Sequence, residues 1–492
     1  MGGLATDRPY SDRVTDTVHE APKPIPRSSP GAAEAPLAPL VGSDLAVPCV
    51  DGIDRPYRDL DCAASTPAMV AVAERVRELL PWYSSVHRGA GYKSRVSTAA
   101  YEEARTAALG FCGRPPDGDD VAILCRNTTE AINHLAYRLR LAPDDVVVTT
   151  VVEHHANLLP WARIAKRRWV ECGPDGTFDV AAVAAALDAR PRPALLAMTG
   201  ASNVTGWLPP VEEICAAAAE RGVPVLLDAA QLAPRRPLPR GPQFLAFSGH
   251  KLYAPFGTGV LVGPRDTFAD GDPFLAGGGA VDLVDLEEVI WTEPPDREEA
   301  GSPNVLGAAA FGKAMTELEG IGWDAIATHE HELATRLRKG LAAIDGVRLL
   351  GPTLDGPTLA VASFTVEGAH HALVAARLSA EWGIGVRHGC FCAHPYLLRL
   401  LGTGPGDVAA ARAQIRKGDR RSIPGAVRAS CGIGTVAADI DALLEAVAVI
   451  AGGEPPPLPY EQDPRTGDFW PAAGTGPWAA SARPVNMACA RG

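Results

Sequence analysis

No apolar run in this chain of 492 residues approaches the roughly 18–20 residues that a membrane-spanning helix requires, which excludes a helical membrane protein. Positive charge is not in surplus either. The 46 Lys and Arg stand against 58 Asp and Glu, for a net charge of -12, whereas a protein that grips a nucleic-acid backbone needs clustered cations. The ten cysteines are scattered, at positions such as 49, 112, 172 and 215, without the spacing of a disulfide framework. Reduced thiols in a cytoplasmic compartment are therefore expected. The N-terminal stretch shows no basic segment followed by an apolar one, and no secretory signal is expected. Lysine is scarce: positions 23, 93, 166, 251, 313, 339 and 417 carry all of it. In a chain biased toward Ala, Gly, Pro and Arg, a lysine in a special setting carries weight. What is present is ordinary globular composition, 47% apolar, 21% charged and 6% aromatic, with length for two sizeable cores.

Residues 1–45 are rich in Pro, Ala, Ser and charge without apolar periodicity, and read as a mobile tail. The stretch 451–492, with Pro455, Pro456 and Pro457, reads as a second tail that Trp470 and Trp478 could dock on the surface. Between them no repeat occurs. From about 120 to 265 short apolar runs alternate with helical patterns. The runs are Val121–Cys125, Val146–Val152, Arg168–Glu171, Ala194–Met198, Val223–Leu227, Phe244–Phe247 and Gly259–Val262. Buried runs separated by helices imply an α/β domain with a largely parallel sheet covered on both faces. We expect a large domain over 46–325 and a smaller α/β domain over 326–450. The latter contains Val347–Leu350, Thr358–Phe364 and His371–Trp382, with a Gly/Arg-rich loop and one short helix at 403–426.

In open parallel sheets ligands bind beyond the carboxyl ends of the strands. The residues that follow the runs are Asn127-Thr128-Thr129-Glu130, Glu153-His154-His155-Ala156-Asn157, Ser202-Asn203, Asp228-Ala229-Ala230-Gln231 and Ser248-Gly249-His250-Lys251. Five strands thus deliver polar groups to one sheet edge. Thr128 and Thr129 at a helix start offer hydroxyls and N–H groups to a phosphate, and Ser248 and His250 add donors. Asp228 ends an apolar strand, so it is a buried anion in need of a cation, which a pyridinium nitrogen would supply. Lys251 can form a Schiff base with an aldehyde. His154 can stack on an aromatic ring and shuttle protons. Taken singly, each has a plainer reading: a helix cap, a loop histidine pair, a turn aspartate, a solvated lysine. Together, in order along one edge, they specify pyridoxal 5'-phosphate.

The segment Phe247-Ser248-Gly249-His250-Lys251-Leu252-Tyr253 resembles the cofactor-lysine segment of class V aminotransferase-fold enzymes, and most of all the cysteine desulfurase and selenocysteine lyase group. Glu153–Asn157 with Pro160-Trp161, Ser202–Gly206, Asp228–Gln231, Val86–Gly89, Ala300–Asn304 and His370–Ala372 are similar to that group's motifs in the same order. The resemblance spans roughly residues 60–450. It implies the fold type I architecture of pyridoxal-phosphate-dependent transferases, a mostly parallel seven-stranded large domain with a smaller C-terminal one. It further implies that Lys251 binds the cofactor covalently and moves the α-proton, with Asp228 at the pyridinium, Gln231 at the ring oxygen and His154 stacked on the ring. Thr128, Thr129, Ser248 and His250 would hold the phosphate. Asn203 and Arg428 would bind the substrate carboxylate, helped by Arg387 and His87. A homodimer is implied, with Ser302 in the segment that crosses to the partner's phosphate.

The same resemblance makes Cys392, in Gly385–Pro395, the nucleophile that takes sulfur from L-cysteine as a persulfide and leaves L-alanine. Arg387, His388 and His394 lie near it in sequence and could lower its thiol pKa. A bland loop cysteine is the competing reading. A metal site from His388, Cys390, Cys392 and His394 would ask one short loop to close a tetrahedron, so no metal is expected. The chain departs from the group's pattern at Cys390 (often His), Gln243 (usually Asp), Cys62 (commonly Asn), the 403–426 stretch and the tails. These leave room for another class V reaction on a specialised amino acid, by a C–S lyase, aminotransferase or epimerase. A non-enzymatic scaffold for sulfur transfer is a more distant alternative. The expected partners are an amino-acid substrate and a sulfur-acceptor protein.

Overall fold

The structure, a computed structural model, describes residues 32–472. All seven apolar runs form strands of one sheet: β1 (Asp120–Cys125), β2 (Val146–Thr150), β3 (Lys166–Val170), β4 (Leu195–Thr199), β5 (Val225–Asp228), β6 (Phe244–Ser248) and β7 (Gly259–Pro264). Their order is β1-β7-β6-β5-β4-β2-β3. Only β7 runs antiparallel to its neighbours β1 and β6; the remaining pairs are parallel. The fold class expected from the sequence is the one observed.

Helices cover both faces, and for that reason the strands are unbroken apolar runs instead of alternating ones. On one face α1 (Val70–Leu79), α2 (Tyr92–Phe111) and, after α3 (Thr128–Arg138), α4 (Val180–Asp188) and α5 (Val211–Glu220) lie over the sheet. Leu196 and Met198 of β4 join the core there with Val183 of α4 and Ile214 of α5. Leu195 and Ala197 point the other way, against Ile132 and Leu135 of α3. Each such Leu or Ile contributes about 1.5–3 kcal/mol by leaving water. A hairpin of β8 (Val281–Val284) and β9 (Val289–Trp291) then projects from the body, followed by α6 (Val305–Ile321) and α7 (Trp323–Ala342).

The second sheet is antiparallel: β10 (Val347–Leu350), β11 (Val361–Val366), β12 (Arg387–Gly389) and β13 (Ala426–Ser430), ordered β10-β11-β13-β12. It has its own core, in which Leu337 of α7, Leu378 of α8 (His371–Trp382) and Leu444 of α11 (Ala437–Ala451) meet Phe364 and Val427. Between β12 and β13 come α9 (His394–Leu401) and α10 (Pro405–Arg416). The latter is a full helix of twelve residues, where the sequence suggested a loop with a short one.

Of the two tails, residues 1–31 and 473–492 lie outside the described residues, and the described parts are packed on the body. In the N-terminal stretch, Leu37 N–H donates to the Ile433 carbonyl at 2.8 Å and Val41 N–H to that of Ala68 at 2.9 Å. Leu37 and Leu40 pack on the main core, which offsets the entropy of ordering this segment. After α11, strands β14 (Tyr460–Gln462) and β15 (Phe469–Pro471) form a docked hairpin. The Tyr460 hydroxyl donates to Glu381 at 3.0 Å, and the Phe469 ring lies 5.6 Å from that of His370. Trp470 belongs to this hairpin, whereas Trp478 lies outside the described residues. No helix among the described residues is long and apolar enough to cross a membrane.

Candidate active site

A cavity of about 740 Å³ opens at the carboxyl ends of the strands, within the usual range for small-molecule sites. Its donor end is built on the start of α3. Asn127 caps that helix, its Oδ1 accepting from Glu130 N–H at 3.0 Å. Thr128 donates its N–H to Ser248 Oγ at 2.7 Å, and the two hydroxyls lie 2.6 Å apart. Thr129 and His250 line the same end. Burial lowers the His250 imidazole to about 4. Gly259 lets β7 pass this close, because a Cβ there would stand 2.7 Å from Asn127 Cα. Hydroxyls, the Thr129 N–H and the positive end of the helix dipole together suit a phosphate.

At the opposite end Asp228 is buried, and burial raises its carboxyl above the usual range; only the N–H of Ala230, at 3.0 Å, and the nearby Lys251 ammonium oppose that rise. No ion pair neutralises it among the described residues. Lys251 is half-buried, and burial lowers its amine to about 8, more neutral than a surface lysine. His154 is held by its Nδ1, which accepts from Ala156 N–H at 3.0 Å. Burial, then the neighbouring Lys251, lowers this imidazole to about 3. It is therefore a neutral ring, suited to stacking and unsuited to carrying a shuttled proton as imidazolium. Gln231 Nε2 donates to the Ala63 carbonyl at 2.7 Å. A buried carboxylate without a cation, an amine of lowered basicity, a flat neutral ring and a distant cluster of donors match the four faces of pyridoxal phosphate. The residues present fit that cofactor.

Over this cavity hangs the cysteine turn. Phe391 and Cys392 both adopt left-handed backbone, at φ 53° and 54°, each costing on the order of 1 kcal/mol for a residue with a Cβ. Two clamps hold them. Asn203 Nδ2 donates to the Phe391 carbonyl at 2.7 Å, and His155 N–H to the Cys392 carbonyl at 2.7 Å. The Arg428 guanidinium lies 5.0 Å from the centre of the Phe391 ring. With its carbonyl tied down, Cys392 remains exposed at the cavity wall, beside the half-buried Cys390. His394 does not flank the thiol as an isolated cation: it stacks on His155 with ring centres 5.1 Å apart.

The Aminotransferase class-V family matches residues 59–443. The chain belongs to that family. Among this class-V chain's relatives are a probable cysteine desulfurase 2 of Mycobacterium leprae, 36% identical over 69% of this chain and 83% of that protein, and the cysteine desulfurase of Dickeya dadantii, 36% identical over 70% and 85%. Among solved structures, the apo cysteine desulfurase of Thermococcus onnurineus NA1 superposes with a TM-score of 0.71 at 31% identity, covering 81% of this chain and 95% of that one. The cysteine desulfurase CsdA of Escherichia coli gives 0.68 at 31% identity, covering 81% and 95%.

Of the residues singled out from sequence, the class-V cavity gathers Thr128, Thr129, His154, Asn203, Asp228, Gln231, Ser248, His250, Lys251, Arg387, Cys392 and Arg428. It does not gather His87 or Ser302. His87 faces Glu102, 3.7 Å away, with its ring edge-on to Tyr101; Ser302 is exposed ahead of α6.

Two carboxylates carry more than the motifs showed. Asp61 pairs with Arg387 at 3.0 Å through one oxygen and with Arg428 at 3.1 Å through the other, so it joins the two arginines. Glu153, fully buried, accepts from the Thr150 hydroxyl at 2.7 Å, Asn157 Nδ2 at 2.8 Å and Thr199 N–H at 2.9 Å, tying the end of β2 to that of β4. Burial raises its carboxyl to about 8. Glu153 stands inside the Glu153–Asn157 motif, and Asp61 stands next to Cys62. Only their partners, distant in sequence, reveal the roles.

Proposed function

We propose that this class-V enzyme is a pyridoxal-phosphate-dependent cysteine desulfurase, converting L-cysteine to L-alanine with the sulfur taken by Cys392. The observation that carries this reading is the Cys392 turn, clamped over the same cavity that encloses Lys251 and Asp228. The desulfurase relatives support it. The cofactor, when bound, supplies an electron sink for bond changes at the substrate α-carbon.

The chain's residues do the rest. Asp228 holds a proton-bearing ring nitrogen, His154 stacks and Gln231 reaches the ring oxygen, while Thr128, Thr129, Ser248 and His250 hold the phosphate. Arg428 and Asn203 take the substrate carboxylate with Arg387. Lys251, at about 8, is a base near neutral pH and moves the α-proton. The Cys392 thiolate attacks the substrate sulfur, the Cβ–S bond breaks, and protons from the site complete alanine. L-cysteine and a thiol thereby become L-alanine and a persulfide, with atoms in balance, and an acceptor carries the sulfur away.

In this reading the enzyme is a homodimer with a large domain over 46–325 and a small one over 326–450. Ser302, outside its own chain's cavity, then serves the second copy's phosphate, and His87 helps the carboxylate site from that shared face. The β8–β9 hairpin supports the dimer, exposing Leu283, Leu286 and Ile290 where a solitary chain would bury them. The free thiols at all nine described cysteines suit a cytoplasmic setting.

The test is to incubate the cofactor-loaded protein with L-cysteine and a reductant, quantifying alanine, pyruvate and sulfide. Alanine with matching sulfide, abolished by Cys392→Ala while the cofactor's visible absorbance persists, is the expected result. Pyruvate with sulfide identifies a lyase instead, and the absence of both sets cysteine aside as the substrate.

A further inference from the structure

The outer half of the cavity is made by two segments remote from the cofactor residues. Ile415, Arg420 and Ile423 come from α10 and the loop behind it, Thr466 and Gly467 from the turn between β14 and β15. The two segments are knitted together. Arg420 N–H donates to the Pro464 carbonyl at 2.8 Å, Arg420 Nη1 to the Arg465 carbonyl at 3.0 Å, and Gln462 Nε2 to the Arg421 carbonyl at 3.1 Å. Gly467, at φ 85°, lets the strands close, since a Cβ there would stand 2.8 Å from the Arg420 carbonyl. Beneath this roof lie three rings. His370 and His371 have centres 4.2 Å apart, His371 and His388 5.4 Å. His371 Nε2 lies 3.1 Å from the Ile423 carbonyl, and His388 Nε2 3.2 Å from Asp468. Burial keeps the imidazoles of His370, His371 and His388 below the usual histidine range.

Three charged pairs close within the roof. Arg421 holds Asp419 at 2.8 Å, Arg465 holds Asp463 at 3.2 Å and Asp468 faces His388. Arg412, Arg416, Lys417 and Arg420 have no carboxylate partner among the described residues; of these exposed cations only Arg420 lines the cavity, where its guanidinium donates to the Arg465 carbonyl. The same cavity is lined by His370, His371 and His388 and by Ile415 and Ile423. An unmatched, anchored guanidinium on the wall of a ligand cavity is a receptor for an anion that reaches out from the inner site.

We propose that Arg420 and the roof around it form a distal subsite that binds the terminal carboxylate of an amino acid longer than cysteine, one whose side chain extends beyond the sulfur through a few uncharged atoms. This rests on the proposed amino-acid chemistry of the inner cavity, and it adds a longer amino acid, beside L-cysteine, to the ligands that cavity accepts.

The probes are S-carboxyalkyl-L-cysteines with one, two or three methylenes beyond sulfur, each compared with the S-alkyl-L-cysteine of matched length. Binding is read by titration calorimetry on the cofactor-loaded protein, alongside the visible absorbance. At least one carboxylate compound is expected to bind about tenfold or more tighter than its alkyl counterpart, the scale of one charge-assisted pair. Arg420→Ala should erase that preference, Arg420→Lys should keep part of it, and Arg421→Ala, at an arginine already matched by Asp419, should leave it intact. Equal binding of both series, no binding by any carboxylate compound, or a preference that survives Arg420→Ala overturns the subsite. Turnover of L-cysteine by the unaltered protein, followed in parallel, reports on the desulfurase reading separately.

Discussion

At the scale of single residues, burial sets the charge states on which the site depends. Lys251→Ala should eliminate both the visible absorbance of the loaded protein and its turnover, as read by spectrophotometry and alanine release. Retained turnover would remove this lysine from the chemistry. His154 leads to a pH effect with a definite sign. Its folded-state value of about 3 lies below the ordinary 6.5 of an unfolded chain. The unfolded state therefore binds the extra proton as pH falls from 6.5 toward 3, and stability is lost across that window. At pH 4 the loss attributable to His154 is about 3 kcal/mol. Denaturant titrations of the cofactor-free protein at pH 7 and pH 4 should show His154→Gln losing less stability on acidification than the wild type, by about that amount.

At the scale of elements, the Cys392 turn is a strained piece of backbone held by distant partners. Asn203→Ala removes the amide that holds the Phe391 carbonyl. We expect persulfide formation to fall about tenfold or more with the visible absorbance retained, while hydrogen exchange at the His155 amide accelerates as its bond to Cys392 loosens. Unchanged exchange would mean that the turn holds itself. The strand-end part of this site was legible beforehand because a strand buried on both faces is an apolar run, and its first polar residues mark its carboxyl end, as at Leu227-Asp228 and Phe247-Ser248. The hairpin at 460–471 was not. Its three-residue strands are too short for periodicity, and it is held by the Tyr460 hydroxyl on Glu381 and by Asp468 on His388, contacts that no local pattern encodes. Asp61 was hidden similarly: its meaning lies in Arg428, 367 positions away.

At the scale of the whole molecule, the proposed dimer would use the β8–β9 hairpin. Leu286 is fully exposed and Leu283 is 60% exposed, more apolar surface than a lone tip ordinarily presents. Leu286→Asp combined with Ile290→Asp should convert a dimer to a monomer in light scattering, and cofactor retention should weaken with it because Ser302 loses the neighbouring site. A dimer that survives both changes would place the interface elsewhere.

The bridge made by Asp61 also has a consequence for how the site meets its substrate. Arg387 and Arg428 bring two positive charges and Asp61 returns one negative, so this trio carries a single net positive charge at the place proposed for the substrate's α-carboxylate. A monoanionic headgroup then brings this pocket to electrical neutrality, whereas a dianion such as sulfate would overshoot it. The valence of the ligand is thus selected before its shape, and inhibition by sulfate should be weak compared with that by a simple monocarboxylate.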